Sequence, residues 1–219
     1  GDVLILPQHR LERLFRTIKT QLPQVNRIAL YGNGKAIRTK SLSELRALKD
    51  LGLSRIYLGV ERGDDHVLAT IKKGETRETL AAAGRKVMNA GIFLSTSVIL
   101  GIGGVARSMK HALATAALLN KVGPNQIAAL TLMVLDNTPI AQAVANNSVL
   151  IPDAPAILKE LRTLVKSLKV DRVQFMANHS SNYLPISGRL ARDKTRILSE
   201  IDQAIGGYRD LVSDRLRTL

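Results

Sequence analysis

The sequence predicts an α/β fold, a partial (βα)6 barrel with a helical C-terminal extension, on three observations. Short apolar, β-branched runs alternate with longer segments of helical spacing, a pattern that parallel strands with helical crossovers satisfy. Polar residues and glycines collect just after the strand-like runs, as in IYLGVE (56–61) and SVILGIGG (97–104), where barrels of this class place their chemistry. The chain of 219 residues is 45% hydrophobic, enough for one substantial core.

Residues 1–6 alternate like the end of a strand. Pro7 opens a helix to about Leu22, in which Leu11, Leu14, Phe15, Ile18 and Leu22 share one face. RIALYG (27–32) is the next strand. Ser41 with Glu44 forms a capping-box signature for a helix that Gly52 is placed to end. A strand over 54–60 precedes two helices, at about 64–73 and 76–90. Asp64 and Asp65 are suited to cap the first, and Thr76, Thr79 and Gly91 to bound the second. Strand 93–100 is followed by a helix that starts near Ser108 and runs to Val122, then by strand 126–133. DNTPIAQAVANN holds a short helix, Asp153 caps a longer one, and RVQFMA (172–177) is a final strand. The tail from about 190 to 217 reads as a charged helix broken at Gly206-Gly207. The resulting division is a barrel part, 1–145, and a C-terminal part, 146–219, of helices with one further strand.

Composition narrows the function classes. A formal charge of +14 attracts polyanions, but the charge is dispersed and aromatic residues make up only 3%, which leaves few platforms for stacked bases. The partner classes are therefore a small-molecule substrate or an anionic macromolecule, with nucleic acid among the latter. No apolar run reaches the roughly 20 residues that span a bilayer, and a cytoplasmic location is expected. The chain has no cysteine, which excludes disulfides and thiolate metal sites within it. SVILGIGG lacks the Gly-x-Gly-x-x-Gly spacing of dinucleotide folds and the Gly-Lys-Ser/Thr of phosphate loops, and no Gly-x-Ser-x-Gly elbow is present. The four histidines show no HxxxH or HxH spacing, so no metal site is expected. His66 and His111 read as helix-surface residues.

IYLGVE, SVILGIGG and NHSSNYLPISGRLARDK (178–194) together resemble the radical S-adenosylmethionine (radical SAM) superfamily, in particular the branch of oxygen-independent coproporphyrinogen oxidase and uncharacterised iron–sulfur oxidoreductases. The resemblance implies S-adenosylmethionine as cofactor and its reductive cleavage to a 5′-deoxyadenosyl radical. It also implies a four-iron cluster (4Fe-4S) held by Cys-x-x-x-Cys-x-x-Cys after the first barrel strand. GDVLILP looks like the tail of the family's second strand, so the expectation is a chain whose first strand and cysteine loop lie upstream. The cluster and a reductant protein then belong to a longer parent, and the chain is inactive alone.

The site residues are implied in the same way. Glu61 would reach the amino-acid end or ribose of the cofactor, or else pair with an arginine at the rim. Tyr31 would offer its hydroxyl to the methionine or ribose part, or pack under the loop. Lys73 would meet the cofactor carboxylate, or else be an exposed helix-end charge. Ser97 would bond the ribose and Ile99 cover the adenine, while Leu132 and Met133 would supply backbone contacts to it. Asn137 stands where the family commonly has the glycine of Gly-Thr-Pro, and asparagine tolerates the left-handed backbone such a turn needs. His179, Asn182 and Tyr183 are candidates for the substrate, or for a network that fixes their loop. Two competing readings are a basic nucleic-acid-binding module and a cluster-free cofactor-binding or scaffold protein.

Overall fold

The computed structural model describes residues 2–60 and 75–218. Six strands form one sheet in sequential order: β1 (Ile28–Gly32), β2 (Leu53–Gly59), β3 (Phe93–Leu100), β4 (Gln126–Thr131), β5 (Val173–Ala177) and β6 (Ile186–Leu190). The first five are parallel and β6 returns antiparallel to β5. The helices are α1 (Gln8–Gln21), α2 (Gly34–Thr39), α3 (Leu42–Asp50), α4 (Arg77–Asn89), α5 (Gly104–Val122), α6 (Pro139–Ala145), α7 (Ala154–Ser167) and α8 (Lys194–Ile205). This is the expected partial barrel of alternating strands and helices. Among the described residues no helix is long and apolar enough to cross a membrane.

The core lies between the sheet and the helices. The two-residue period of a strand sends Ile56 and Leu58 of β2, Leu94 and Val98 of β3, and Ile127 of β4 to the helical side, where all five are fully buried. Full burial of such a side chain stabilises the fold by about 1.5–3 kcal/mol. Local signals set the helix starts. Ser41 and Glu44 exchange a capping box with Ser41 Oγ accepting from Glu44 N, Thr76 and Thr79 form another, and Asp153 Oδ1 accepts from Ala156 N at 2.9 Å. Asn137 takes φ 61°, the left-handed conformation its turn requires.

Several sequence expectations are corrected. The segment expected to end a strand, of which residues 2–6 are described, is not one: Val3–Ile5 is a 3-10 turn, because the Asp2 carboxylate accepts from Leu4 N at 3.1 Å and from Asn33 N at 2.7 Å and so curls the segment over β1. Helix α2 was not expected; Asn33 starts it by accepting from Ala36 N. Helix α5 begins at Gly104 rather than near Ser108, with Val105 N bonded to Leu150 O. Strand β4 ends at Thr131, not 133. The C-terminal part holds two strands, not one, since β6 pairs with β5 just before the segment read as a tail helix. Helix α8 is what remains of that tail, ending at Gly206. The expected helix at 64–73 lies outside the described residues.

Candidate functional site

On the side of the sheet away from the helices, the concave face of a barrel, register arranges the side chains in rows. Ala29, Arg55 and Phe93 form the row nearest the strand N-termini. Tyr31, Tyr57, Ser95 and Gln126 stand in the second row, which β5 and β6 extend with Gln174 and Arg189. Gly59, Ser97 and Ala128 are the small residues of the third row, which β5 and β6 extend with Met176 and Ser187. Ile99 and Leu130 lie at the strand C-terminal ends. Leu132 follows, its N–H continuing the ladder to Leu100 O at 2.9 Å. Parallel strands buried on both faces read as continuous apolar runs; here the alternation of Leu and Ile with Arg, Tyr, Ser and Gln marks one face as a polar lumen.

The upper two rows contain a hydroxyl, small neighbours and an apolar ledge. Ser97, Ile99, Leu132 and Met133 are all half-buried there. Behind the ledge the Gly-rich turn after β3 is held by a buried carboxylate. Glu160 of α7 is fully buried, and its two oxygens each lie 3.2 Å from Gly101 N. It also accepts from Ser108 Oγ and stands 2.9 Å from His111 Nδ1. With a carboxylate as acceptor, the imidazole donates from Nδ1 and turns Nε2 towards Thr115 Oγ1. His111 is therefore not a helix-surface residue: it is 1% exposed, sealed between α5 and α7. Gly101 has φ +82°, a left-handed backbone that favours glycine.

A separate apolar cavity of about 550 Å³ opens on the other side of this turn, between the start of α5, helix α6 and residues 147–150, with Val105, Ile140 and Leu150 on its walls. Ser97, Ile99, Leu132 and Met133 do not line it.

Among the described residues no loop packs over Tyr31. It is 73% exposed on the concave face, stacked on Tyr57 with ring centroids 5.1 Å apart, in the row below Ser97. Glu61 and Lys73 lie outside the described residues, as do Asp64, Asp65 and His66. The 179–183 group is not brought to the Ser97 row. Asn182 is buried against the helical side of β4, its Nδ2 donating to Ala129 O and its Oδ1 accepting from Thr131 Oγ1, each at 2.9 Å. His179 Nδ1 accepts from Ser181 N at 3.1 Å, and Ser181 Oγ accepts from Thr131 N. Tyr183 donates to Asp214 at 2.9 Å and lies under the Arg217 guanidinium, 3.7 Å from its ring centre. Burial, then the bond to Asp214, raises the Tyr183 pKa above the usual phenol value. These contacts fix the loop to the sheet. Among the described residues no group of three His, Cys, Asp or Glu side chains could hold a metal ion.

Sequence reasoning missed Glu160 and the Arg55 cluster. The available signal for Glu160 was a charge on the apolar stripe of α7, between Ile157 and Leu164.

No protein-family model matches the sequence, and no curated protein matches it. Solved structures do. Elp3 of the archaeon Methanocaldococcus infernus superposes with a TM-score of 0.61 at 12% identity, over 96% of this chain and 54% of that one. Methylornithine synthase (PylB) gives 0.56 at 12% identity, over 88% and 50%. Coproporphyrinogen III oxidase (HemN) of Escherichia coli, a radical SAM enzyme, gives 0.59 at 16% identity, over 76% and 39%. The chain spans about half the length of the first two and less of the third. At these identities the likeness is one of fold: the chain has the architecture of part of a radical SAM barrel.

Proposed function

We propose that the chain is the S-adenosylmethionine-binding part of a radical SAM iron–sulfur enzyme. The observation that carries this reading is the C-terminal end of the parallel sheet. There the Ser97 hydroxyl sits between Gly59 and Ala128, one row below Ile99 and Leu130, beside a Gly-rich turn anchored by Glu160. Small neighbours leave room for a sugar at the hydroxyl, and the apolar ledge suits the face of a purine. Open α/β sheets bind ligands outside their strand C-termini.

The donor set thus fits the adenosine half of the cofactor. Ser97 bonds a ribose hydroxyl, Ile99 covers the base, and Leu132 and Met133 present backbone to its edge. Glu61 and Lys73 are assigned to the amino-acid end on the family resemblance alone. When bound, the cofactor would supply a sulfonium carbon–sulfur bond that a one-electron reductant from outside this chain could cleave. The residues do not fit a 4Fe-4S cluster, because the chain has no cysteine and thiolates hold such clusters. What these residues do is bind, orient and shield the cofactor.

Calorimetry with S-adenosylmethionine tests the assignment. Wild type should bind, Ser97→Ala should bind about 2–10-fold more weakly for one lost neutral hydrogen bond, and Ile99→Asp should abolish binding. Equal affinity in all three proteins refutes the site.

A further inference from the structure

The lower two rows of the concave face carry a feature that cofactor binding does not use. The Arg55 guanidinium lies 4.3 Å from the ring centre of Phe93 and 5.6 Å from that of Tyr57, and its Nη1 donates to Tyr57 Oη at 3.3 Å. Two rings, one of them also through its hydroxyl, thus fix a cation, and among the described residues no carboxylate forms an ion pair with it. Beside it Tyr31 stacks on Tyr57 with 29° between the rings and leaves most of its own surface open. Next to Ser95 in this row, Gln126 has an amide of set orientation: Ser95 Oγ donates to its Oε1 at 2.8 Å, and its Nε2 donates to Met176 Sδ at 2.7 Å and to Gln174 Oε1 at 3.2 Å.

We propose that Arg55, Tyr31, Tyr57, Phe93 and Gln126 form a binding site for a planar, conjugated small molecule bearing a carboxylate or phosphate, the substrate of the reaction whose cofactor lies in the rows above. The proposal rests on the cofactor reading for the word substrate, but the site itself does not depend on it. A filled barrel interior is built from layers of branched aliphatic side chains; this face instead presents Arg, Tyr, Ser and Gln, with its aromatic rings at one edge. Its described strand side chains include the cations Arg55 and Arg189 and no acid, so the charge it complements is negative. A guanidinium lying on an aromatic ring keeps its planar fork free to take a carboxylate or phosphate edge-on. The open side of Tyr31 offers a platform on which an added ring extends the stack. In row three above, Gly59, Ser97 and Ala128 lie between the rings and the cofactor site, with Met176 beyond them on β5, and the small side chains of the first three leave bound substrate and bound cofactor room to meet.

Ligand-observed NMR titration of the 219-residue chain tests this with 2-naphthoate and 1-naphthyl phosphate, against 2-naphthamide, which lacks the charge, and cyclohexanecarboxylate, which lacks the planar ring. One or both aromatic anions should bind, and the tighter one tells which acid the site favours. Both controls should bind at least about tenfold more weakly, as loss of a charge-assisted bond or a stacked ring implies. Arg55→Gln should cost a similar factor. Tyr31→Ala should weaken the aromatic anions several-fold without lowering the thermal midpoint, because Tyr31 is exposed. Amide binding equal to that of the acid, an Arg55→Gln variant as tight as wild type, or no binding of either anion at about 10 mM overturns the proposal. So does a dimer in sedimentation that Tyr31→Arg dissociates, since the face would then be covered by a second copy. S-adenosylmethionine is titrated into the same proteins. Arg55-dependent naphthoate binding without cofactor binding upholds the anion site and sinks the cofactor reading; cofactor binding without naphthoate binding does the reverse.

Discussion

Replacing Glu160 by alanine is expected to be among the most costly single changes in the protein. The carboxylate is fully buried and serves three donors: Gly101 N–H, the Ser108 hydroxyl and His111 Nδ1. Each buried donor left without an acceptor costs about 1–3 kcal/mol, so three stranded donors would sum to about 3–9 kcal/mol. Water entering the vacated space relieves part of that sum, so about 3–5 kcal/mol is the expected loss, or roughly 6–20 °C in midpoint for a chain of this size. Glu160→Gln keeps the shape and one acceptor oxygen but turns an NH2 group towards a donor, and should lose about 1–3 kcal/mol. Urea unfolding of both variants, with His111→Ala and the double variant, measures the loss and the coupling. The double variant should be more stable than the sum of the singles predicts, because each single already strands the other partner. A Glu160→Ala loss below about 1 kcal/mol, within the range of ordinary surface changes, would refute the claim that this carboxylate holds the turn.

Asn182→Ala should cost about 2 kcal/mol in urea unfolding, since it strands the buried Thr131 hydroxyl and Ala129 carbonyl; an unchanged midpoint would show that the loop is not pinned there. Acid should weaken the fold. Asp193 is held well below the usual carboxylate range by Arg192 and the Arg189 N–H, Asp202 is lowered by Arg162, and Asp214 by the Tyr183 hydroxyl and Arg217. Because their folded pKa values are depressed, the stability they contribute is complete above the ordinary carboxylate range, near pH 4, and is lost as pH falls through the lower folded values. The urea midpoint should therefore hold from pH 7 to about pH 5 and drop from there towards about pH 2, and Asp193→Asn should narrow that drop; a midpoint unchanged over that acid range contradicts the ion-pair account.

Where the fold follows local chemistry, the sequence was readable. Ser41–Glu44, Thr76–Thr79 and Asp153 mark helix starts within a residue, and the apolar runs of β1 to β5 stand out because one face of each packs on helices. β6 was not readable: ISGRL holds a glycine and an arginine, and its two outward residues, Ser187 and Arg189, are exposed at a sheet edge. The turn at Val3–Ile5 depends on Asp2 meeting Asn33, which no periodicity encodes. The site divides in the same way. Ser97 and Ile99 follow from the two-residue period of β3, and the structure places them together on the concave face. The Glu160–His111 pair joins residues 49 apart in sequence, and the Arg55–Phe93 contact depends on the β2–β3 register. Such contacts are fixed by tertiary packing, so in the sequence they appear only as polar residues on otherwise apolar stripes.

The most direct test of the central claim is the map of backbone amide shifts on adding S-adenosylmethionine to the isotope-labelled chain. The account predicts that perturbed amides cluster at Ser97–Gly104 and Leu130–Met133, across the C-terminal ends of β3 and β4, with α1 and α8 silent. Perturbations confined to the cavity walls at 139–150, or to surface lysines and arginines with no response at Ser97 or Ile99, would contradict it.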